Sequence, residues 1–199
     1  LLLSLFGCGP GLRLAWDVNP GDYTPTPAVA RDGTLVTVDY TAYGGDGYVQ
    51  GIDPSDGSTR WTYHVEAAST QALALDADDN VVVNEQDVVL GLDSHDGSEA
   101  WRVDDPGYPL ASGVAVDAGL GVVYVRRQLP GGSPRLLALA PPDLLWSIEL
   151  SGYVAAMALG VDGTIYLAGD DLLAIDPDGV ELWRVVLPSQ AINLVVGRE

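Results

Sequence analysis

Two stretches of the chain say nearly the same thing: Gly51 to Trp61 reads GIDPSDGSTRW and Gly91 to Trp101 reads GLDSHDGSEAW. The tryptophans fall at positions 16, 61, 101, 146 and 183, so the intervals are 45, 40, 45 and 37 residues. A period of this size marks a row of similar supersecondary units, each too small to bury its own apolar surface.

Within each interval, apolar alternation punctuated by turn residues spells short strands. The first unit reads Pro27–Ala30, Thr34–Tyr40, Tyr48–Asp53 and Thr59–Val65. The second reads Ala72–Asp76, Val81–Asn84, Val88–Asp93 and Glu99–Val103, and the third Val114–Asp117, Val122–Arg127, Arg135–Ala140 and Leu144–Leu150. The fourth reads Ala155–Gly160, Thr164–Ala168, Leu172–Asp176 and Glu181–Leu187, giving blades at about 27–65, 72–103, 114–150 and 155–187. Two kinds of turn recur. RDGT at Arg31–Thr34 and VDGT at Val161–Thr164 join first to second strands, with glycine supplying positive φ. DPSDGS at Asp53–Ser58 joins third to fourth, where Pro54 presets one dihedral and aspartate bonds the local backbone.

Composition agrees with an all-β reading. The chain holds 22 Asp against 6 Glu, with 24 Gly and 13 Pro, which favours turns over helix interiors. At 199 residues and 47% hydrophobic it buries a sizeable core, and no apolar run is long enough for a spanning helix. A four-stranded sheet with two apolar faces needs neighbours on both, and radial stacking at this period gives a β-propeller of four-stranded antiparallel blades.

The repeated motif resembles the tryptophan-docking motif of PQQ-like propeller repeats. Gly51, Asp53, Asp56, Gly57 and Trp61 fill its offsets, as do Gly91, Asp93, Asp96, Gly97 and Trp101. AIDPDGVELW at Ala174–Trp183 is one residue shorter but keeps Asp176, Gly179 and Trp183, whereas ALAPPDLLW at Ala138–Trp146 loses both Asp and Gly. Trp61, Trp101 and Trp183 are expected in equivalent, largely buried positions one blade apart. Trp16-Asp17 is a lone WD pair, which sets the chain apart from WD40 repeats. The resemblance covers residues 12–199. Leu12–Val18 reads as a fourth strand and Ala191–Val196 as a first strand of incomplete blades. Since related propellers have seven or eight blades, the resemblance implies a partial ring with four blades present.

The first residues, LLLSLFGCG, resemble the end of a bacterial lipoprotein signal peptide, with Leu5, Gly7 and Cys8 on the lipobox offsets and Phe6 departing from them. That resemblance makes residues 1–11 a signal tail with a short linker, and Cys8 the lipidated residue. The implied location is the bacterial cell envelope, at the outer membrane or in the periplasm, or outside the cell. A single Cys permits no internal disulfide.

Formal net charge is −19, and all nine basic residues are arginine. Such a field repels phosphate backbones, so nucleic acid is not an expected partner. PQQ-dependent dehydrogenases share these repeats, but this chain lacks their adjacent cysteines and no residue matches their catalytic set, so neither catalytic residues nor a cofactor is assigned. His64 and Glu66 share a strand face, yet two ligands do not make a zinc site; DPDGVE at Asp176–Glu181 starts like a calcium loop and breaks at Leu182, so no metal is assigned. Binding remains. The first-to-second and third-to-fourth turns lie on one propeller face and are short. The other face carries the irregular connections: YTAYGGDGY at Tyr40–Tyr48, DDPGYPLASG at Asp104–Gly113 and QLPGGSPR at Gln128–Arg135. Rigidly held loops carry recognition, and tyrosine supplies contact area with a polar tip. A protein-binding face is therefore expected around Tyr40, Tyr43, Tyr48, Tyr108, Arg126 and Arg127. The expected function is a non-enzymatic, envelope-anchored scaffold similar to outer-membrane assembly propeller lipoproteins. The alternative is the N-terminal half of a quinoprotein dehydrogenase.

Overall fold

The computed structural model describes residues 2–5, 14–18, 27–40, 47–65, 73–85, 87–105, 110–128 and 132–197, and these residues contain strands and turns but no helix. Strands β1 (Leu2–Leu5) and β2 (Leu14–Val18) pair antiparallel in a two-stranded sheet. Blade 1 is β3 (Ala28–Val29), β4 (Leu35–Tyr40), β5 (Gly47–Ile52) and β6 (Thr59–Val65). Blade 2 is β7 (Ala74–Leu75), β8 (Asn80–Glu85), β9 (Val88–Asp93) and β10 (Glu99–Asp104). Blade 3 is β11 (Leu110–Asp117), β12 (Val122–Gln128), β13 (Pro134–Ala140) and β14 (Asp143–Glu149). Blade 4 is β15 (Val154–Leu159), β16 (Ile165–Gly169), β17 (Asp171–Ile175) and β18 (Glu181–Val186). Each blade is an antiparallel four-stranded sheet in chain order, as an up-and-down blade requires.

Two expected strands differ. Leu12–Val18, read as the outer strand of an incomplete blade, has its β2 portion paired with β1 instead. Ala191–Val196 forms no strand: Ala191 N–H donates to the Gly169 carbonyl at 2.9 Å, and among the described residues no second strand lies alongside to continue a ladder. A strand exists only where its backbone groups find a partner row.

The core consists of the three spaces between neighbouring blades, and the period-2 alternation of each strand fills them from both sides. Val81 and Val83 of β8 pack toward blade 1 with Val36, Val38 and Val49, whereas Val82 between them packs toward blade 3 with Val123 and Val125. Leu137 and Leu139 face blade 2, and Leu136 and Ala138 face blade 4 with Ile165 and Leu167. Each fully buried Val or Leu contributes about 1.5–3 kcal/mol of transfer free energy, so the stack is held mainly by these aliphatic layers.

One column of side chains repeats in every sheet, and in blades 1 to 3 it faces the next blade: Val36, Gly51 and Trp61; Val82, Gly91 and Trp101; Tyr124, Ala138 and Trp146; Tyr166, Ala174 and Trp183. A register shift beside the tryptophan recurs in all four blades. The Trp61 indole lies over Gly51, and its Nε1–H crosses to blade 2, donating to the Ser94 carbonyl at 2.9 Å. The same ring rests on Gly97, where a Cβ would come within 2.6 Å of Cε3. Gly97 has φ +75° and closes the turn by donating to the Asp93 carbonyl at 2.8 Å. Trp146 repeats the joint on blade 4, donating to the Pro177 carbonyl at 2.8 Å above Gly179.

Trp101 is the exception. Pro141 and Pro142 stand in the corresponding turn of blade 3, and Trp101 Nε1 donates instead to Asp76 Oδ2 of its own blade at 2.8 Å. Trp61 and Trp101 are 8% and 9% exposed, but Trp183 is 42% exposed, so the expectation of burial fails there. Its ring leans on Tyr166, at 5.9 Å between centroids, and no blade among the described residues packs over it.

The glycine in the first two columns has a steric reason, because a Cβ at Gly51 would enter the Trp61 ring. Gly51→Ala is expected to push the indole off its seat on the sheet, at a cost of about 1–3 kcal/mol. Red-shifted tryptophan emission with a lowered urea midpoint is the expected readout; unchanged values of both would contradict this packing.

Candidate partner-binding face

The two propeller faces differ in chemistry. The first-to-second and third-to-fourth turns place Asp32, Asp53, Asp56, Asp76, Asp93, Asp96, Asp117, Asp162 and Asp176 on one face. These aspartates are turn formers: Asp32, Asp53, Asp56, Asp93, Asp96 and Asp162 each accept from the N–H two residues on, at 2.7–3.1 Å. Asp53 also accepts from the Ser55 hydroxyl at 2.6 Å and from Arg60 at 2.8 Å. These bonds stabilise the charged form, the Ser55 hydroxyl most of all, and hold the Asp53 carboxyl at about 2 against an ordinary 3.8. Asp32 is likewise held at about 2, chiefly by the Thr34 N–H, with Arg60 at 3.1 Å. His95 Nδ1 lies 3.4 Å from Asp32 Oδ2 across the joint between blades 1 and 2.

The sign of the pH dependence follows. With folded values depressed from 3.8 to about 2, the native state binds fewer protons than the unfolded chain in that interval. The contribution of these turns is complete above about pH 4 and is lost as pH falls toward about 2. The urea midpoint is expected to stay level from about pH 6 to about pH 4 and to drop below that. A midpoint that rises on acidification below about pH 4 would contradict the turn assignment.

The second-to-third and interblade connections leave from the opposite ends of the strands, and residues 41–46, 66–72, 106–109 and 129–131 of them lie outside the described residues. Tyr43, Tyr108 and Cys8 lie outside the described residues, as does Glu66, and Tyr40 ends β4, its backbone paired with Gly47. Tyr48 is exposed on β5, its ring edge-on to His64 with centroids 5.3 Å apart. Among the described residues no three His, Cys, Asp or Glu side chains gather as a metal site.

Arg126 and Arg127 do not belong to this surface: they are 4% and 0% exposed. Both lie within β12, and strand alternation sends them into the two interblade spaces. Arg126 lies on the face toward blade 4, with its Nε near Gly113. Arg127 turns toward blade 2, where it donates to the Glu85 carbonyl at 2.9 Å and its Nε lies 3.5 Å from Asp105 Oδ2. Arg135 donates to Asp105 Oδ1 at 2.9 Å and to Ser147 Oγ at 2.8 Å. Burial pushes the guanidinium values of both Arg126 and Arg127 down, and for Arg127 the Asp105 charge opposes the push. Arg127 therefore ties blade 3 to blade 2. The dipeptide looked like a surface patch because arginine is rarely buried, and for Arg127 the carboxylate at Asp105, distant in sequence, offsets the cost of burial.

A cleft of about 410 Å³ opens on the same face, between blades 3 and 4, lined by Gln128, Gly132, Ser133, Gly152 and Tyr153. No motif announced it. Its walls come from a hairpin and an interblade connection that touch only in the folded stack.

Four-stranded antiparallel blades joined by indole-to-turn contacts define a β-propeller of PQQ-like repeats. A family model described as "Outer membrane protein assembly factor BamB" matches residues 13–141, and the chain belongs to that family. No curated protein sequence matches it. Among solved structures, BamB from Moraxella catarrhalis aligns at 20% identity and a TM-score of 0.52, over 87% of this chain and 55% of that one. The dihydro-heme d1 dehydrogenase NirN in complex with DHE aligns at 16% identity and 0.63, over 85% and 38%. The C-terminal WD40 domain of Sif2 aligns at 8% identity and 0.66, over 82% and 46%. At these identities the likeness is one of fold, and the chain spans from 38% to 55% of these three structures.

Proposed function

We propose that this chain is a protein-binding scaffold of the bacterial cell envelope, held at a membrane by lipid on Cys8, with its partner on the face of long connections. Membership of the BamB family carries the reading. The contrast between short, self-bonded aspartate turns on one face and longer connections with a cleft on the other supports the choice of face. The partner is a protein rather than nucleic acid, given the net charge of −19. Tyr40, Tyr43, Tyr48 and Tyr108 are the proposed contacts. Their joint replacement by alanine is expected to weaken binding of a captured envelope protein at least tenfold, as loss of aromatic anchors does. Unchanged affinity would remove them from the interface.

Capture of outer-membrane assembly proteins by the purified protein from detergent-solubilised envelope is the main test, and incorporation of labelled palmitate that disappears in Cys8→Ala tests the anchor. The enzymatic reading, a quinoprotein dehydrogenase of which this is one half, is tested by adding PQQ and calcium and following dye-linked alcohol oxidation. Turnover would overturn the scaffold reading.

A further inference from the structure

We infer that Asp178-Gly179 is a self-modification site, where the chain closes to a succinimide and reopens as isoaspartate, loosening the joint between blades 3 and 4. The sequence holds six Asp-Gly pairs, and five of them, at Asp32, Asp56, Asp96, Asp162 and Asp178, lie wholly among the described residues. Each of these five aspartates is exposed, each glycine has φ between +75° and +88°, and each glycine N–H donates to a carbonyl at 2.8–3.1 Å. The carboxylates differ. In the first four pairs Oδ1 accepts from the N–H two residues on, that of Thr34, Ser58, Ser98 or Thr164, at 2.8–3.1 Å. In the fifth, the N–H two residues on belongs to Val180 and donates to Asp176 Oδ1 at 2.8 Å. The motif is one residue short in this blade, so Asp176 takes the Asp178 N–H, at 3.0 Å, as well as that of Val180. The Asp178 carboxylate accepts no hydrogen bond among the described residues.

That difference selects the reacting pair. The Gly179 amide nitrogen attacks Asp178 Cγ, the N–Cγ bond forms, and the amide proton leaves with the carboxyl hydroxyl as water. Glycine has no side chain to block the approach. The five-membered succinimide then takes up one water at either carbonyl. Opening at the main-chain carbonyl of Asp178 leaves the chain running through Cβ, which is isoaspartate, and opening at the other returns aspartate. The steps need only water. An ionised carboxylate is a poor electrophile, and one bonded to the backbone cannot swing over the next amide. Bonds from the residue two on hold the other four carboxyls below the ordinary 3.8, the N–H first for Asp32, Asp56 and Asp162 and the hydroxyl first for Asp96. The place gives the modification its effect. The Pro177 carbonyl accepts the Trp146 indole N–H at 2.8 Å, and the ring lies on Gly179, where a Cβ would stand 3.0 Å from Cδ2. An extra main-chain carbon between Pro177 and Gly179 lengthens the turn under that indole.

Ageing of the native protein in mildly acidic buffer, followed by peptide mapping with electron-transfer fragmentation, reads isoaspartate at each pair. Isoaspartate is expected to accumulate at Asp178 at least about fivefold faster than at Asp32, Asp56, Asp96 or Asp162, the factor that one net hydrogen bond supplies. In urea, where no turn holds a carboxylate, the five rates are expected to converge. Aged native protein should show red-shifted tryptophan emission as the Trp146 joint loosens. Asp178→Glu should abolish that drift, because its ring would need six members, and it should fold, because the side chain it replaces accepts no bond from the turn. Equal rates at all five native pairs would overturn the inference. So would an order that survives in urea, since neighbours in the sequence would then set it. Protein modified at Asp178 with unshifted emission would overturn the link to the joint.

Discussion

Trp61→Ala is expected to destabilise the protein by about 3–5 kcal/mol, the range for emptying a buried tryptophan site. The indole fills the space between blades 1 and 2 beside Val36, Val49, Leu90 and Leu92, and the change also deletes its bond to the Ser94 carbonyl. Trp183→Ala, at the same position of the repeat, is expected to cost only about 1 kcal/mol, because that ring keeps 42% of its surface in solvent. Urea denaturation of the two variants separates the cases. Equal losses would show that the tryptophan acts within its own sheet rather than as a joint to the next one.

Asp105→Asn is expected to cost about 3–5 kcal/mol, although it removes no buried volume. Asp105 is the carboxylate between Arg127 and Arg135 at the joint of blades 2 and 3, and Arg127 is fully buried. Neutralising it leaves the guanidinium charge in a low-dielectric space with its largest Coulombic partner gone. A second variant checks the cause: Asp105→Leu combined with Arg127→Met should recover most of the lost stability, since an apolar pair needs no compensation. If Asp105→Asn stays within about 0.5 kcal/mol of the parent, the buried pair is not what joins these blades.

The blades were legible because their signals are local. Alternation in Val81–Val82–Val83 and the Asp93 to Gly97 turn are dictated by steps of a few residues, and all sixteen blade strands lie within a few residues of their expected bounds. The largest displacement is at β11, which begins at Leu110 instead of Val114 because Leu110 and Ala111 find Gln128 and Arg127 to pair with. The repeat also located the tryptophan joints, but not which partner each indole takes. Trp146 docks although its own turn has lost the motif, because the acceptor is the intact turn of blade 4. Trp101 retains the full motif and turns to Asp76, because the blade after it has Pro141-Pro142 in that place.

The sequence by itself determined the all-β class, the four-blade repeat and the turn chemistry, since period, glycine placement and side-chain-to-backbone bonds act within one sheet. Tertiary structure decided the rest. It buried Arg126 and Arg127 and brought Gln128 and Ser133 against Gly152 and Tyr153 to make a cleft. Each of these outcomes depends on what the neighbouring blade presents across the gap, and a pattern that repeats along one chain carries no record of how unlike its successive copies are at their facing surfaces.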